Sequence, residues 1–476
     1  MSNLLLGPAT VCTFGDRPRV LQNAAVVVAG GIIREVGPCR DLVKRYREFQ
    51  RYDTGGAVLM PGLICAHHHF YSTFARGLGP ARTPRNFVEV LKYMWWRLDR
   101  NLTLEDVYYS ALIPLIECVR AGTTTVIDHH ASAYAVRGSL QKIAEAVRAV
   151  GVRANLCYEV SDRDGPDIAA EGIEENCGFL SSMSNPKSKI QNLKSKITGS
   201  FGLHASFTLS DRTLREVGRR LASFDAGVHV HVAEDLADRR AALKKHGMGV
   251  VERLDRLDLL CDKTLLAHCI HITPAERRII ARKKCMVAHN PTSNMNNAVG
   301  TANLLGLLRD GVLVGLGTDG MRSNMLDEAK FAPLAHRAAL RNPAAAFLES
   351  ADLLVKGNPR LASRLFGGRL GVIEPGAAAD LIRLEYHPPT PLTDQTFYGH
   401  LLFGLANARV LDTMVAGRFL TKGGRLRLGV SEPDVAEASR TLAQKFRARF
   451  TADRARPASE THIRGADPAS RNKVIS

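Results

Sequence analysis

Apolar residues along the chain fall in short runs closed by glycine or by polar and ionisable positions, and stretches with helical spacing separate the runs. In the central part these runs cover residues 59–66, 124–128, 153–158, 201–205, 228–232, 264–268, 285–289 and 312–318. Strand-length runs alternating with helices predict a βα repeat. Eight of them, with ionisable residues at their C-terminal tips, predict a closed (β/α)8 TIM-like barrel with its site on that face. An open doubly wound sheet is the competing arrangement, but no GxGxxG accompanies the first strand.

The two ends have another rhythm. Residues 11–14, 25–28 and 33–36 read as strands, and a second group, 379–384, 412–415 and 418–421, lies between the Pro375-Gly376 and Gly423-Gly424 turns. Each group alone leaves open edges and an unburied face, so the two are predicted to pair into one small composite β-sandwich. The boundaries that follow are 1–62 and 365–430 for its halves, 63–364 for the catalytic barrel, and 431–476 for a helix and a basic, mobile tail. Lysine-rich residues 185–200 read as a loop or solvated helix.

Composition narrows the function. Hydrophobic residues form 45% of the 476, enough for a large barrel with a smaller unit attached. No apolar run approaches the roughly 18 residues of a membrane span. The opening MSNLLLGPATVCTFGD lacks the features of a secretory signal, so a cytoplasmic protein is expected. The net charge of +17 is spread along the whole chain and aromatic residues are only 6%. That combination argues against nucleic-acid binding and leaves a basic surface, or a field that draws an anionic or carbonyl-rich small substrate. Nine scattered cysteines without a CxxC pair read as buried thiols.

The candidate chemistry sits at the strand tips. In LICAHHHFY, His67 and His69 share one side of an extended strand while His68 points away. In GVHVHVAED the same period repeats at His229 and His231, with Glu234 just past the tip. The eighth run delivers Asp319 in GLGTDG, and the sixth delivers His268 in TLLAHCIH, with His271 beyond it. Imidazoles on two strands plus a carboxylate form a ligand set for a divalent ion, with His231 preferred over the deeper His229. His268, held near the activated water, can orient it. His204 is a candidate donor to a substrate carbonyl. His129, in the DHHAS segment, reads as pocket lining or part of a second metal site, and Trp95 and Arg76 are further candidate substrate contacts.

The motifs MPGLICAHHHF, HVHVAE, LLAHCIH, HNPTSNM and GTDG occur in that order. With them the chain resembles the amidohydrolase superfamily, in the branch of chlorohydrolases and guanine-type deaminases. Through STFARG, WWRLDR, GTTTVIDHHAS, CYEVSDRDG and FGLHASFTLSD it is most similar to the SsnA-like aminohydrolases. The resemblance implies His67, His69, His231 and Asp319 as metal ligands, Glu234, His268 and Asp319 as catalytic groups, and His204 as a substrate contact. It also implies one divalent ion per chain, Zn ahead of Fe(II), and a homodimer or larger homo-oligomer. The expected reaction is hydrolytic deamination of a purine, pyrimidine or triazine-like ring. Cyclic-amide ring opening, chloride displacement and a non-catalytic metal-binding role are the alternatives.

Overall fold

The computed structural model describes residues 3–183 and 196–453. The tail beyond 453 and most of the lysine-rich stretch lie outside the described residues; of the latter, Ile197–Gly199 is a short strand beside the third barrel strand.

The barrel strands are Leu63–His68, Thr123–His130, Arg153–Tyr158, Phe201–Ala205, Val228–Val232, Leu265–His268, Met286–His289 and Leu313–Leu316. They pair in parallel as two arcs, the first three strands and the last five. Backbone bonds join the arcs at one seam, where Val160 N meets Gly202 O at 3.1 Å and His204 N meets Val160 O at 3.0 Å. At the other seam, between the eighth and first strands, Thr318 N and Asp319 N donate to His67 O at 2.9 and 3.0 Å, and a side chain adds to them. Buried Asn358 donates to Ile64 O at 2.6 Å and Leu316 O at 3.0 Å, and accepts from Leu316 N at 2.6 Å. Its neighbour must be glycine, because a Cβ on Gly357 would lie 2.0 Å from Val314 O.

The run 59–66 resolves into two strands. Val58–Pro61 belongs to the outer sheet and Leu63–His68 to the barrel. Gly62 marks the crossing, where a Cβ would sit 2.3 Å from Thr124 Oγ1. Both pieces are fully buried, so the apolar pattern runs through the break unbroken.

The two chain ends form one nine-stranded sheet. Val58–Pro61 pairs antiparallel with Leu381–Glu385, and Leu4–Cys12 and Arg409–Val415 continue the sheet on either side. The composite β domain predicted from the split strand groups is therefore present. An ion pair between Arg153 and Asp380 at 2.6 Å, each side chain 1% exposed, ties the third barrel strand to this sheet. The helix Glu432–Ala452 packs back on the barrel mouth, with Phe446 5.6 Å from Phe74. Among the described residues no helix is long and apolar enough to cross a membrane. Apart from Cys39 and Cys261 the cysteines are buried.

Candidate metal centre and active site

The period-two alternation of an extended strand does what the pattern requires. His67 and His69 enter the barrel interior, while His68 packs on the other side against Phe70, ring centroids 5.0 Å apart. His231 faces them from the fifth strand, its Nε2 3.1 Å from His69 Nε2. Asp319 closes the group, its Oδ1 2.9 Å from His67 Nε2 and 3.0 Å from His69 Nε2. Asp319 has φ 55°, a strained conformation for a non-glycine residue that turns the carboxylate over the barrel mouth. Ligand atoms of His67, His231, His268 and Asp319 lie within 4.8 Å of one another.

Hydrogen bonding behind these rings decides where their lone pairs point. His69 Nδ1 meets the carbonyl of His129 at 2.5 Å, and His231 Nδ1 meets the carbonyl of His204 at 2.8 Å. Carbonyls only accept, so each neutral ring spends its one N–H outward and turns its Nε2 lone pair inward. Two such lone pairs 3.1 Å apart repel unless a cation lies between them. Against the lowering effect of burial, Asp319 raises the pKa of His69 to about 9, so the cluster favours positive charge at this point. The donor set, three imidazoles and one carboxylate in a buried cluster, fits one divalent ion per chain. His229 serves from behind, its Nε2 2.8 Å from His67 Nδ1.

Two further groups overhang the cluster. His268 is fixed by its Nδ1 to Asn294 Oδ1 at 2.8 Å, which leaves buried Nε2 without a partner, 3.6 Å from Glu234 Oε2 and 3.9 Å from Asp319 Oδ2. Asn297 Nδ2 donates to Glu234 Oε1 at 3.2 Å, and Ser293 Oγ donates to Asp319 Oδ2 at 2.5 Å. The two carboxyls are pushed in opposite directions. Burial raises Glu234 to about 7, whereas at Asp319 the effect of burial is outweighed by His268 and by bonds from His67 and His69, which hold it well below the usual range. One acid thus keeps a proton near neutrality while the other stays ionised.

A pocket opens above them, lined by Trp95, Trp96, His204 and Phe207 on one side and by Asn297 and Met321 on the other. Trp95 and His204, both candidate substrate contacts, line this pocket. Arg76 lies elsewhere: it is held in a bidentate pair with Glu117 and does not line the pocket. His129 sits behind the wall, its Nε2 3.1 Å from the carbonyls of Leu203 and His229 and its Nδ1 3.3 Å from Glu159 Oε2. Thr208 Oγ1 donates to Ala205 O and so accepts from His204 Nδ1 at 2.6 Å, and burial lowers this imidazole to about 4, which turns an acceptor Nε2 toward the pocket.

Several pocket residues were not singled out from sequence. Ser293, Asn296 and Asn297 come from the HNPTSNM region, and Asp99, Glu159 and Arg163 from WWRLDR and CYEVSDRDG. Burial drives Asp99 well above the usual carboxylate range. At Glu159 the same effect is overcome by His204, His129 and Arg163, which hold it well below.

The profile of the amidohydrolase family matches residues 58–420. The 5'-deoxyadenosine deaminase of Methanosarcina mazei is 30% identical, over 94% of this chain and 99% of its own. The 5-methylthioadenosine/S-adenosylhomocysteine deaminase of Pelotomaculum thermopropionicum is 29% identical, over 92% and 98%. Among solved structures, a zinc-bound adenosine deaminase from Xanthomonas campestris superposes with a TM-score of 0.79 at 24% identity, covering 95% of this chain and 99% of the other. The zinc complex of atrazine chlorohydrolase from Arthrobacter aurescens gives 0.76 at 23%, covering 92% and 100%. With a family match over most of its length and a relative this similar end to end, the chain belongs to the amidohydrolase family.

Proposed function

We propose that this protein is a metal-dependent aminohydrolase that replaces the exocyclic amine of an N-heterocycle by oxygen. The observation that carries the reading is the placement of two carboxyls over one histidine cluster, Glu234 and Asp319, both beside His268 Nε2, with Glu234 pushed up by burial and Asp319 pushed down by the imidazoles around it. Held by His67, His69, His231 and Asp319, a divalent ion, Zn ahead of Fe(II), supplies the Lewis acid that makes water nucleophilic near neutral pH.

The chain's own residues do the rest. Asp319 takes a proton from the attacking water as its oxygen bonds to the ring carbon, and Glu234 gives its proton to the adjoining ring nitrogen. His268 steadies the new C–O group through Nε2. Asp319 then hands its proton to the amine, the C–N bond breaks and ammonia leaves. The hydroxyl proton returns to Glu234, leaving a ring carbonyl beside an N–H. Acceptor Nε2 of His204 suits a substrate N–H, and Trp95 and Trp96 suit a flat ring face.

The finer assignments stand on the same footing. The motifs from STFARG to FGLHASFTLSD support an SsnA-like subgroup, and the family resemblance supports a homodimer or larger homo-oligomer. The pairing of the two end groups into one sheet supports the boundaries 62/63, 364/365 and 430/431.

A mass-resolved screen of aminated purines, pyrimidines and triazines against the metal-loaded protein, beside an ammonia assay, tests the reading. Deamination raises mass by about one unit, whereas ring opening adds about 18. Water addition without ammonia would replace the proposal by a ring-opening hydrolase; loss of chloride would replace it by a chlorohydrolase.

A further inference from the structure

The pocket has the opposite character to the chain that carries it. The protein is strongly basic, with 64 Lys and Arg against 47 Asp and Glu. Yet beyond Glu234 and Asp319 the pocket is lined by Asp99, Glu159, Asp235 and Asp238, and among the described residues Arg163 is the sole arginine or lysine on its walls. Arg163 has no free arm. Its Nη2 is paired with Asp99, its Nη1 lies 3.0 Å from Glu159 Oε1, and its Nε lies 3.1 Å from Asp164 Oδ2. The other oxygen of Asp164 is taken by Arg100 at 2.5 Å, so three carboxylates share two guanidiniums. The face of Arg163 is covered as well, its Cζ 5.6 Å from the Trp96 ring.

The remaining acids offer an anion nothing. Asp235 caps the next helix through Ala237 N at 2.8 Å, and Asp238 accepts from Ala233 N at 2.9 Å and Phe207 N at 3.0 Å. Asp99, 1% exposed, has an Oδ1 with no partner, and in neither protonation state does it supply positive charge. On the floor Asp319 would offset half the charge of a divalent ion, and what is left lies at the reacting ring rather than at the substrate's far end. A phosphate or carboxylate carried on a substrate's far end would be desolvated against these oxygens with no cation to meet it.

We infer that the site selects by charge, admitting neutral and cationic N-heterocycles and rejecting those with an anionic substituent, with Arg163 committed to the wall rather than to substrate. The inference rests on the aminohydrolase reading for its substrate class. Of the two readings that composition left, it favours a basic outer surface over a field that draws an anionic substrate.

Two measurements on the full-length, metal-loaded protein test it. Ammonia release is compared for adenosine, a cationic aminoalkyl derivative of adenosine, and adenosine monophosphate. The expected kcat/KM for the monophosphate is lower than for adenosine by about 100-fold or more, since an unpaired charge in a desolvated site costs several kcal/mol. The second needs no substrate. The chain's two tryptophans, Trp95 and Trp96, both line this pocket, so their fluorescence reports its local charge. Each scaled to its quenching of free N-acetyltryptophanamide, caesium is expected to quench more than iodide despite the +17 chain, and Glu159→Gln to shift the ratio toward iodide. Turnover of the monophosphate at the rate of adenosine, or quenching by iodide equal to that by caesium, overturns the inference. If none of the three nucleosides releases ammonia, that counts against adenine deamination, while the quenching ratio alone decides the charge selection.

Discussion

At the scale of single residues the account turns on which group holds a proton. Glu234→Gln keeps the amide partner Asn297 and every proposed metal ligand but has no proton of acid strength to give. Its turnover is expected to fall by about 10²–10⁴-fold, the usual worth of a general acid, with metal content unchanged. Steady-state rates beside elemental analysis check both halves, and wild-type kcat at saturating substrate removes Glu234 from the chemistry. Replacing His268 by Asn should act on rate in the same way, because its Nε2 is the unpartnered donor or acceptor over the cluster. The positions of the proposed ligands were legible because alternation on a strand is a strict geometric rule, and a histidine two residues from another cannot miss the same face. Arg76 and Arg163 were not, since an arginine in a loop reads alike whether it pairs with an exposed glutamate or is buried among three acids. Only the fold brings Glu117 to the first and Asp99, Glu159 and Asp164 to the second.

At the scale of elements the seam between the eighth and first strands is the place to probe. Asn358→Ala removes three hydrogen bonds to buried backbone groups at once. Each buried group left unsatisfied costs about 1–3 kcal/mol, so thermal or denaturant unfolding should show a loss of several kcal/mol. A variant within about 0.5 kcal/mol of wild type would mean that the seam closes without the amide. This duty was not legible in the sequence, because a lone Asn near a helix start reads as a cap. The first run was misjudged for a related reason. Its two halves belong to different sheets, and burial on both faces erases the alternation that would have marked the break at Gly62.

At the scale of the molecule, two distant ends build one sheet beside the barrel, and the contact between sheet and barrel is ionic as well as apolar. Arg153→Met leaves Asp380 buried and unpaired, which should cost about 3–5 kcal/mol, whereas replacing both partners by apolar residues should cost far less. A double-mutant cycle by denaturant titration separates the two cases, and equal losses for the single and double variants would contradict the pairing. Deleting residues 1–55 removes Leu4–Cys12 and Val20–Ala29 from the sheet and strips the flank of Val58–Pro61. The truncated chain is expected to be insoluble, and a soluble, cooperatively folding product would show the barrel to be independent. The composite domain was foreseeable because neither strand group closes alone, but its register was not, since pairing across more than three hundred residues leaves no local trace. The central claim, that a metal held in this cluster performs the hydrolysis, is tested most directly by following metal content and ammonia-releasing activity together as a chelator strips the protein and Zn or Fe(II) restores it. The account predicts about one divalent ion per chain, with activity lost and regained in step with it. A metal-free preparation that retains full activity would contradict it.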